Sequence, residues 1–484
     1  MDLNKLTKKN LIFKCKELNI KGYSTKNKFD IIKLIEKYTD NLIKSNDEYL
    51  VDMNNNQLLD IKTNTTCTST DQSINKNSFK LKLPNMVNQQ YVHDTYKFID
   101  LFCGIGGFHQ ALTKLNYECV FACDIDNKCR QTYEINYGIK PMSDIKTITV
   151  SSIPSFDILC AGFPCQPFSK AGFQKGFNDR RGNLFYYICD IVEYHKPKFL
   201  LLENVSNLAT HDDGNTWKTI YQLIDELGYY TYIDPIIINV LHFNIPQNRE
   251  RMIIMCKRKD LGELPVRPNI PKNPKKFLTS NIIDYIDSNS NEYEINEKLK
   301  DVELIWEQFI KIIISNNIDM PKYPIWTDWW DNIISDNITF YEKYKNWIDK
   351  NRQFYLKYKP LFQEWLETSR ENKNWLGSVR KLEWQAGDVL PTDSIKNTLW
   401  TSRGSGIRIK RLNYIPTLVA MNMTPIYGPE SRTLSPRELL RLQSFPDTFI
   451  YDKTSIHKQI GNAVNVTMIE KSIKFLINGD KLFE

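Results

Sequence analysis

Cys165 stands apart from the other cysteines by its surroundings, Gly162-Phe163-Pro164-Cys165-Gln166-Pro167-Phe168-Ser169. A thiol held in such a turn can serve as a covalent nucleophile once it ionises. Free cysteines are more often inert packing groups. Two prolines and a glycine argue against a routine core position, because they fix the backbone and interrupt any helix. Two further groups sit where chemistry is done. Asp124 follows the run Glu118-Cys119-Val120-Phe121-Ala122-Cys123, and Asp144 stands in Met142-Ser143-Asp144-Ile145.

The elements that must position these groups are apolar strands. Residues 156–161 read as a buried strand that delivers Cys165 at its exit. Residues 98–102 read as another. It runs into Cys103-Gly104-Ile105-Gly106-Gly107 and then into a helix expected over 109–115. A glycine-rich turn between strand and helix lets a nucleotide-like ligand approach bare backbone. An acid about twenty residues further on, here Asp124, is placed to hydrogen-bond a ribose. The pattern predicts an α/β fold: a doubly wound, mostly parallel sheet with turn, acids and cysteine at successive strand ends.

In these motifs the chain resembles the cytosine-5 DNA methyltransferases, notably the bacterial restriction-modification type. The matching stretches are Phe102-Cys103-Gly104-Ile105-Gly106-Gly107, the Gly-Phe-Pro-Cys-Gln turn, Glu203-Asn204-Val205 and Gln247-Asn248-Arg249-Glu250-Arg251. Arg432 to Glu438, Arg441 to Asp447 and Gln459-Ile460-Gly461-Asn462-Ala463-Val464 follow in the same order. Cys103 stands where alanine is usual, and Asn465 where proline is common.

The resemblance implies a Rossmann-like, S-adenosylmethionine-dependent methyltransferase that adds a methyl group to carbon 5 of a cytosine flipped out of a specific duplex DNA sequence. Cys165 would add to carbon 6 of the ring. Glu203, protonated, would hydrogen-bond ring nitrogen 3. Arg251 would contact the carbonyl oxygen, with Arg249 bracing the site. The cofactor would meet Phe102, Gly104, Gly106, Gly107, Asp124, Ile125, Asp144, Ile145, Pro164, Asn462 and Val464. Residues 169–182 read as a mobile loop whose glycines permit closure and whose cations, Lys170 and Arg180 among them, meet phosphates. Gln166 and Ser169 join them as expected DNA contacts. No metal is expected.

Domain bounds follow from where the motifs stop. Residues 95–262 form the expected catalytic domain, 263–449 a smaller target-recognition domain, and 450–484 a return to the catalytic domain. The recognition region holds nine of the ten tryptophans, most of them expected to pack a small core. Its best DNA-reading candidates are Arg403, Ser405 and Arg408, in Thr401-Ser402-Arg403-Gly404-Ser405-Gly406-Ile407-Arg408.

Residues 1–44 resemble the SAP helix-turn-helix DNA-binding motif, through Leu18, Gly22, Lys28 and 31–35. Ten lysines against five acids in residues 1–40 favour a polyanion. Residues 45–94, rich in Asn, Ser, Thr and Gln, read as a linker. The whole chain of 484 residues has a formal charge of +7. Ten cysteines without a CxxC pair imply a reducing, cytoplasmic setting. No apolar run is long enough to span a membrane. Double-stranded DNA is the expected partner of a monomer, with any cognate restriction endonuclease acting separately. Two rivals stay open on sequence grounds: a tRNA cytosine-5 methyltransferase, whose Cys-Phe-Thr signature is missing here, and an inactive DNA-binding homologue.

Overall fold

The computed structural model describes residues 28–30, 32–33, 95–164, 184–287, 291–331, 338–421 and 423–483. Cys165, Gln166, Ser169, Lys170 and Arg180 lie outside these residues. So does nearly all of the SAP-like segment, of which 28–30 and 32–33 are helical. By its internal contacts the chain divides into Met1–Gln90 and Tyr91–Glu484. The second unit carries a seven-stranded sheet, a six-stranded sheet and a two-stranded one, with the cores packed on them.

The first sheet is built from β1 (Lys97–Leu101), β2 (Glu118–Cys123), β3 (Ile158–Gly162), β4 (Phe199–Val205), β5 (Tyr229–Tyr230), β6 (Ile237–Asn239) and β8 (Glu250–Arg258), while β7 (Gln247–Asn248), just before β8 in the chain, pairs outside it. Its order is β2-β1-β3-β4-β8-β5, with β6 also on β8. β1 to β4 pair in parallel and β8 runs antiparallel to β4. Helices α1 (Gly107–Thr113), α2 (Asn127–Tyr137), α3 (Phe185–His195) and α4 (Asn215–Glu226) connect the strands.

The uninterrupted apolar runs now have a reason. Along β3 and β4 alternate side chains enter two different cores. Ile158, Cys160, Phe199 and Leu201 enter one, and Leu159, Ala161, Leu200 and Leu202 enter the other. A strand buried on both faces cannot alternate apolar with polar. The helix expected at 109–115 starts at Gly107, because Gly106 takes a left-handed φ of 84° as its N-cap. β4 runs two residues past Glu203, since Asn204 and Val205 still pair with Met252 and Arg251.

The second sheet lies in the later part of the chain. After α5 (Glu297–Ser315) come β9 (Ile325–Trp326), α6 (Ile338–Glu371), β10 (Lys381–Trp384), β11 (Leu399–Arg403), β12 (Gly406–Lys410), β13 (Ile415–Pro416), β14 (Ile426–Tyr427) and β15 (Arg432–Thr433). The order is β15-β14-β11-β12-β10-β9. Trp306, Trp330, Trp365, Trp375, Trp384 and Trp400 are buried in the core between this sheet and the two helices. The tryptophans thus serve mainly as packing, as expected. The segment expected to read DNA, Thr401 to Arg408, lies in a two-stranded hairpin of residues 399–410 that turns at Gly404 and Ser405.

The chain then returns to the first core through α7 (Pro436–Leu442), α8 (Ile456–Asn462) and α9 (Val466–Asn478). Leu434, Leu439, Leu442 and Phe449, within the expected recognition region, already pack in the first core. β13 pairs with β7, Ile415 opposite Gln247, and so draws the return segment against the start of β8.

Candidate active site

β1 lies between β2 and β3, so the chain leaves β1 to opposite sides and the sheet has its switch point there. Ligands of open α/β sheets bind in the crevice at such a point. The glycine turn occupies the carboxyl end of β1. Phe102 and Gly104 both adopt positive φ, 55° and 53°. The amide of Gly104 donates to Asp124 Oδ2 at 2.8 Å, and the amide of Asp126 donates to Oδ1 at 2.8 Å. Asp124 therefore organises the turn as well as bordering it. Burial raises its carboxyl pKa, opposed by those two amide bonds.

The rest of the turn is tightly fitted. A Cβ on Gly106 would stand 2.2 Å from the Tyr137 ring, and one on Gly107 would stand 2.5 Å from Val464. A Cβ on Gly104 would meet nothing within 4 Å, so bare backbone faces open space. Ile125 is three-quarters exposed beside it. An apolar side chain, a carboxylate and uncovered backbone fit a nucleoside-bearing cofactor. Ile145 is buried in the core with Leu101 and Cys123, and Asp144 accepts the Lys146 amide at 3.0 Å. Pro164 and Asn462 are exposed, while Val464 is buried against Gly107 and Gly162.

The carboxyl and guanidinium groups meet at the neighbouring strand ends. Glu203 stands opposite Gly162 on β3 and opposite Ile253 on β8. Arg251 stands opposite Val205, two positions along the same face from Glu203's partner, a diagonal neighbour within side-chain reach. Arg251 Nε lies 2.7 Å from Glu203 Oε1. Burial raises the Glu203 pKa, and the cations of Arg251 and Arg249 offset part of that rise.

Arg249 is fully buried. It donates to the carbonyls of Leu418 (2.9 Å), Gly461 (3.0 Å) and Ala463 (2.8 Å). Burial, with Arg251 adding to it, pushes its pKa down to about 9. It still carries its charge at neutral pH and clasps the return segment. Asn204 Nδ2 donates to Phe163 O at 2.9 Å, tying the strand of Glu203 to the turn that leads into Cys165.

Several partners escaped sequence reading. Asn204 was visible as part of a motif, but its bond to Phe163 was not. Asp100, fully buried on β1, has its pKa raised well above the ordinary value by burial. Asn465, where proline is common, caps α9 by accepting the Met468 amide at 3.0 Å and donates to Leu442 O at 3.2 Å. That double role explains the departure. Cys103 is buried with Ala122 and Tyr133. The seven described cysteines are free thiols. Among the described residues no group of side chains could hold a metal ion, and no helix is long and apolar enough to cross a membrane. Arg403, Ser405 and Arg408 stand on the β11–β12 hairpin of the second sheet.

Comparison with known proteins matches residues 96–478 to the model of the C-5 cytosine-specific DNA methylase family. The chain is 32% identical over 378 residues to the Type II methyltransferase M.HhaI of Haemophilus parahaemolyticus, covering 77% of this chain and 92% of that protein. It is also 32% identical to M.BanI of Aneurinibacillus aneurinilyticus, over 80% of this chain and 97% of that one. M.HpaII of Haemophilus parainfluenzae is 32% identical over 80% and 90%.

Proposed function

The chain belongs to the C-5 cytosine-specific DNA methylase family, and from that premise we propose that it methylates a cytosine flipped out of a specific duplex sequence through a covalent adduct on Cys165. As a member of the family it transfers a methyl group from S-adenosylmethionine to carbon 5 of cytosine in DNA. The observation that carries the finer reading is the buried Glu203, bonded to Arg251 at 2.7 Å and one strand away from the residue that opens the Cys165 turn.

Each side chain has a task set by its chemistry. The Cys165 thiolate adds to carbon 6, and its electron pair passes through the ring to carbon 5, which becomes nucleophilic. Glu203 carries a proton toward ring nitrogen 3, where negative charge develops, and accepts from the exocyclic amine. Its raised pKa suits the protonated form. Arg251 offers N–H groups to the carbonyl oxygen while still steering Glu203. Arg249 holds the return segment against the site. The glycine turn, Asp124, Ile125 and Val464 would hold S-adenosylmethionine, which would supply the electrophilic methyl group when bound. After transfer a base removes the carbon 5 proton and the Cys165 sulfur leaves carbon 6. Lys170 and Arg180 hold the duplex phosphates, Gln166 and Ser169 line the opened base pair, and Arg403, Ser405 and Arg408 read bases.

A duplex carrying 5-fluorocytosine tests the adduct, because fluorine blocks the final proton removal. Wild type is expected to trap a protein–DNA species that Cys165→Ser does not. Labelled methyl from S-adenosylmethionine should enter duplex DNA and not tRNA. A variant lacking the thiol that turns over at the wild-type rate would refute the covalent route.

A further inference from the structure

The second sheet packs one face on the tryptophan core, and on its other face Leu399 and Tyr427 join the first core while Arg403, Arg408 and Lys410 stay partly exposed. On β12 the buried Ile407 and Ile409 alternate with Arg408 and Lys410, and on β10 the buried Leu382 and Trp384 alternate with Lys381 and Glu383. Glu383 and Arg408 are register partners on parallel strands. Glu383 Oε2 accepts from Arg408 Nε at 2.8 Å and lies 2.6 Å from Nη2. The other carboxylate oxygen accepts from Gln385 Nε2.

Gln385 thus fixes Glu383, and Glu383 fixes Arg408 along one edge of its guanidinium. That pair uses Nε and Nη2 and leaves Nη1 out of it. The Arg408 side chain keeps 28% of its surface exposed. Arg403, at the hairpin tip, donates through Nε to Thr401 Oγ1 at 3.2 Å and has no such carboxylate brace. Burial lowers the Lys410 pKa, and the nearby Arg408, Lys275 and Arg403 lower it further. A two-stranded ribbon fits the major groove, where a fixed arginine fork matches O6 and N7 of guanine. Bracing removes side-chain entropy that an unbraced arginine loses on binding.

We infer that Arg408 is a specificity-determining residue that reads a guanine in the target duplex, and that Glu383, held by Gln385, is its positioning residue. The inference rests on the reading that the chain methylates duplex DNA. It gives Arg408 and Lys410 different duties, since phosphate contacts carry no sequence information.

The test is a methylation profile over a randomised duplex library, read by sequencing after reaction with the full chain. Wild type should require guanine at one position. Arg408→Ala should relax that position by about 5- to 150-fold, the range for one bidentate base contact. Glu383→Ala should relax the same position, and Glu383→Gln, which keeps an acceptor, should fall between. Lys410→Ala should slow all sites alike. If Arg408→Ala fails to fold by thermal melting, Arg408→Lys keeps the charge without the fork and should relax the same position. Unchanged profiles in the Arg408 and Glu383 variants, or relaxation at two different positions, would overturn the inference. A wild-type chain that methylates no duplex would instead overturn the reading on which it rests.

Discussion

Glu203 must hold a proton where Cys165 must lose one. An ordinary thiol, with a pKa of about 8.5, is mostly protonated at neutral pH, while burial raises the Glu203 carboxyl. The single-turnover methyl-transfer rate should therefore rise with pH on the thiol limb. Deprotonation of Glu203 opposes that rise, so the gain should flatten once pH passes the raised Glu203 pKa. Glu203→Gln should lose roughly 10²–10⁴-fold in that rate, and its rise with pH should show no such early flattening. A rate equal to wild type would leave Glu203 a purely structural group. The same shift has a linked effect on stability. A raised carboxyl pKa stabilises the fold fully below the ordinary value of 4.5, and that contribution is lost as pH climbs through the raised value. Denaturant unfolding at several pH values should show this loss in wild type and a flatter curve in Glu203→Gln. Cys165 was singled out in the sequence because prolines around a cysteine are uncommon in a core, and it lies outside the described residues. The clasp of Arg249 was not legible, because its acceptors, Leu418, Gly461 and Ala463, lie 169 to 214 residues downstream.

At the scale of elements, glycines set the limits. Gly461 presses on the return segment so closely that a Cβ would stand 2.3 Å from the Val419 carbonyl carbon and 2.5 Å from the Ala420 amide. These are backbone atoms and cannot swing aside. Gly461→Ala should push residues 418–420 away and pull the Leu418 and Gly461 carbonyls off Arg249. Overpacking of this kind costs about 1–3 kcal/mol. Thermal melting should show the loss, and single-turnover rates should fall with it. A variant that melts and turns over like wild type would show that the segment has room. The strands and their two-faced burial were readable from continuous apolar runs. Two boundaries were not. α1 begins two residues early because Gly106 caps it from the left-handed region. β4 runs on because β8 offers it partners, a tertiary fact absent from local pattern.

The unit from Tyr91 to Glu484 is a sheet domain interrupted by a second sheet with its own core. Trp306 and Trp330 are buried there among other aromatic rings. Trp306→Ala should cost about 3–5 kcal/mol in the part built on the second sheet, while S-adenosylmethionine binding at the first sheet persists. Calorimetric titration of the cofactor against the variant would separate the two, and simultaneous loss of both would mean that the cores fold as one. Removing residues 1–90 should leave methylation and its sequence preference intact, because every matched motif lies beyond residue 95. A changed methylation profile in the shortened chain would give that segment a part in base reading. The Arg249 clasp also sets a schedule during synthesis. The ribosome delivers Glu203, Arg249 and Arg251 early, but the carbonyls that hold Arg249 emerge 169 to 214 residues later. At 5–20 residues per second that is roughly 10–40 s. Through that interval the nascent chain carries its reactive groups without their brace, and a product that stops short of residue 463 never gains the Ala463 carbonyl that Arg249 grips.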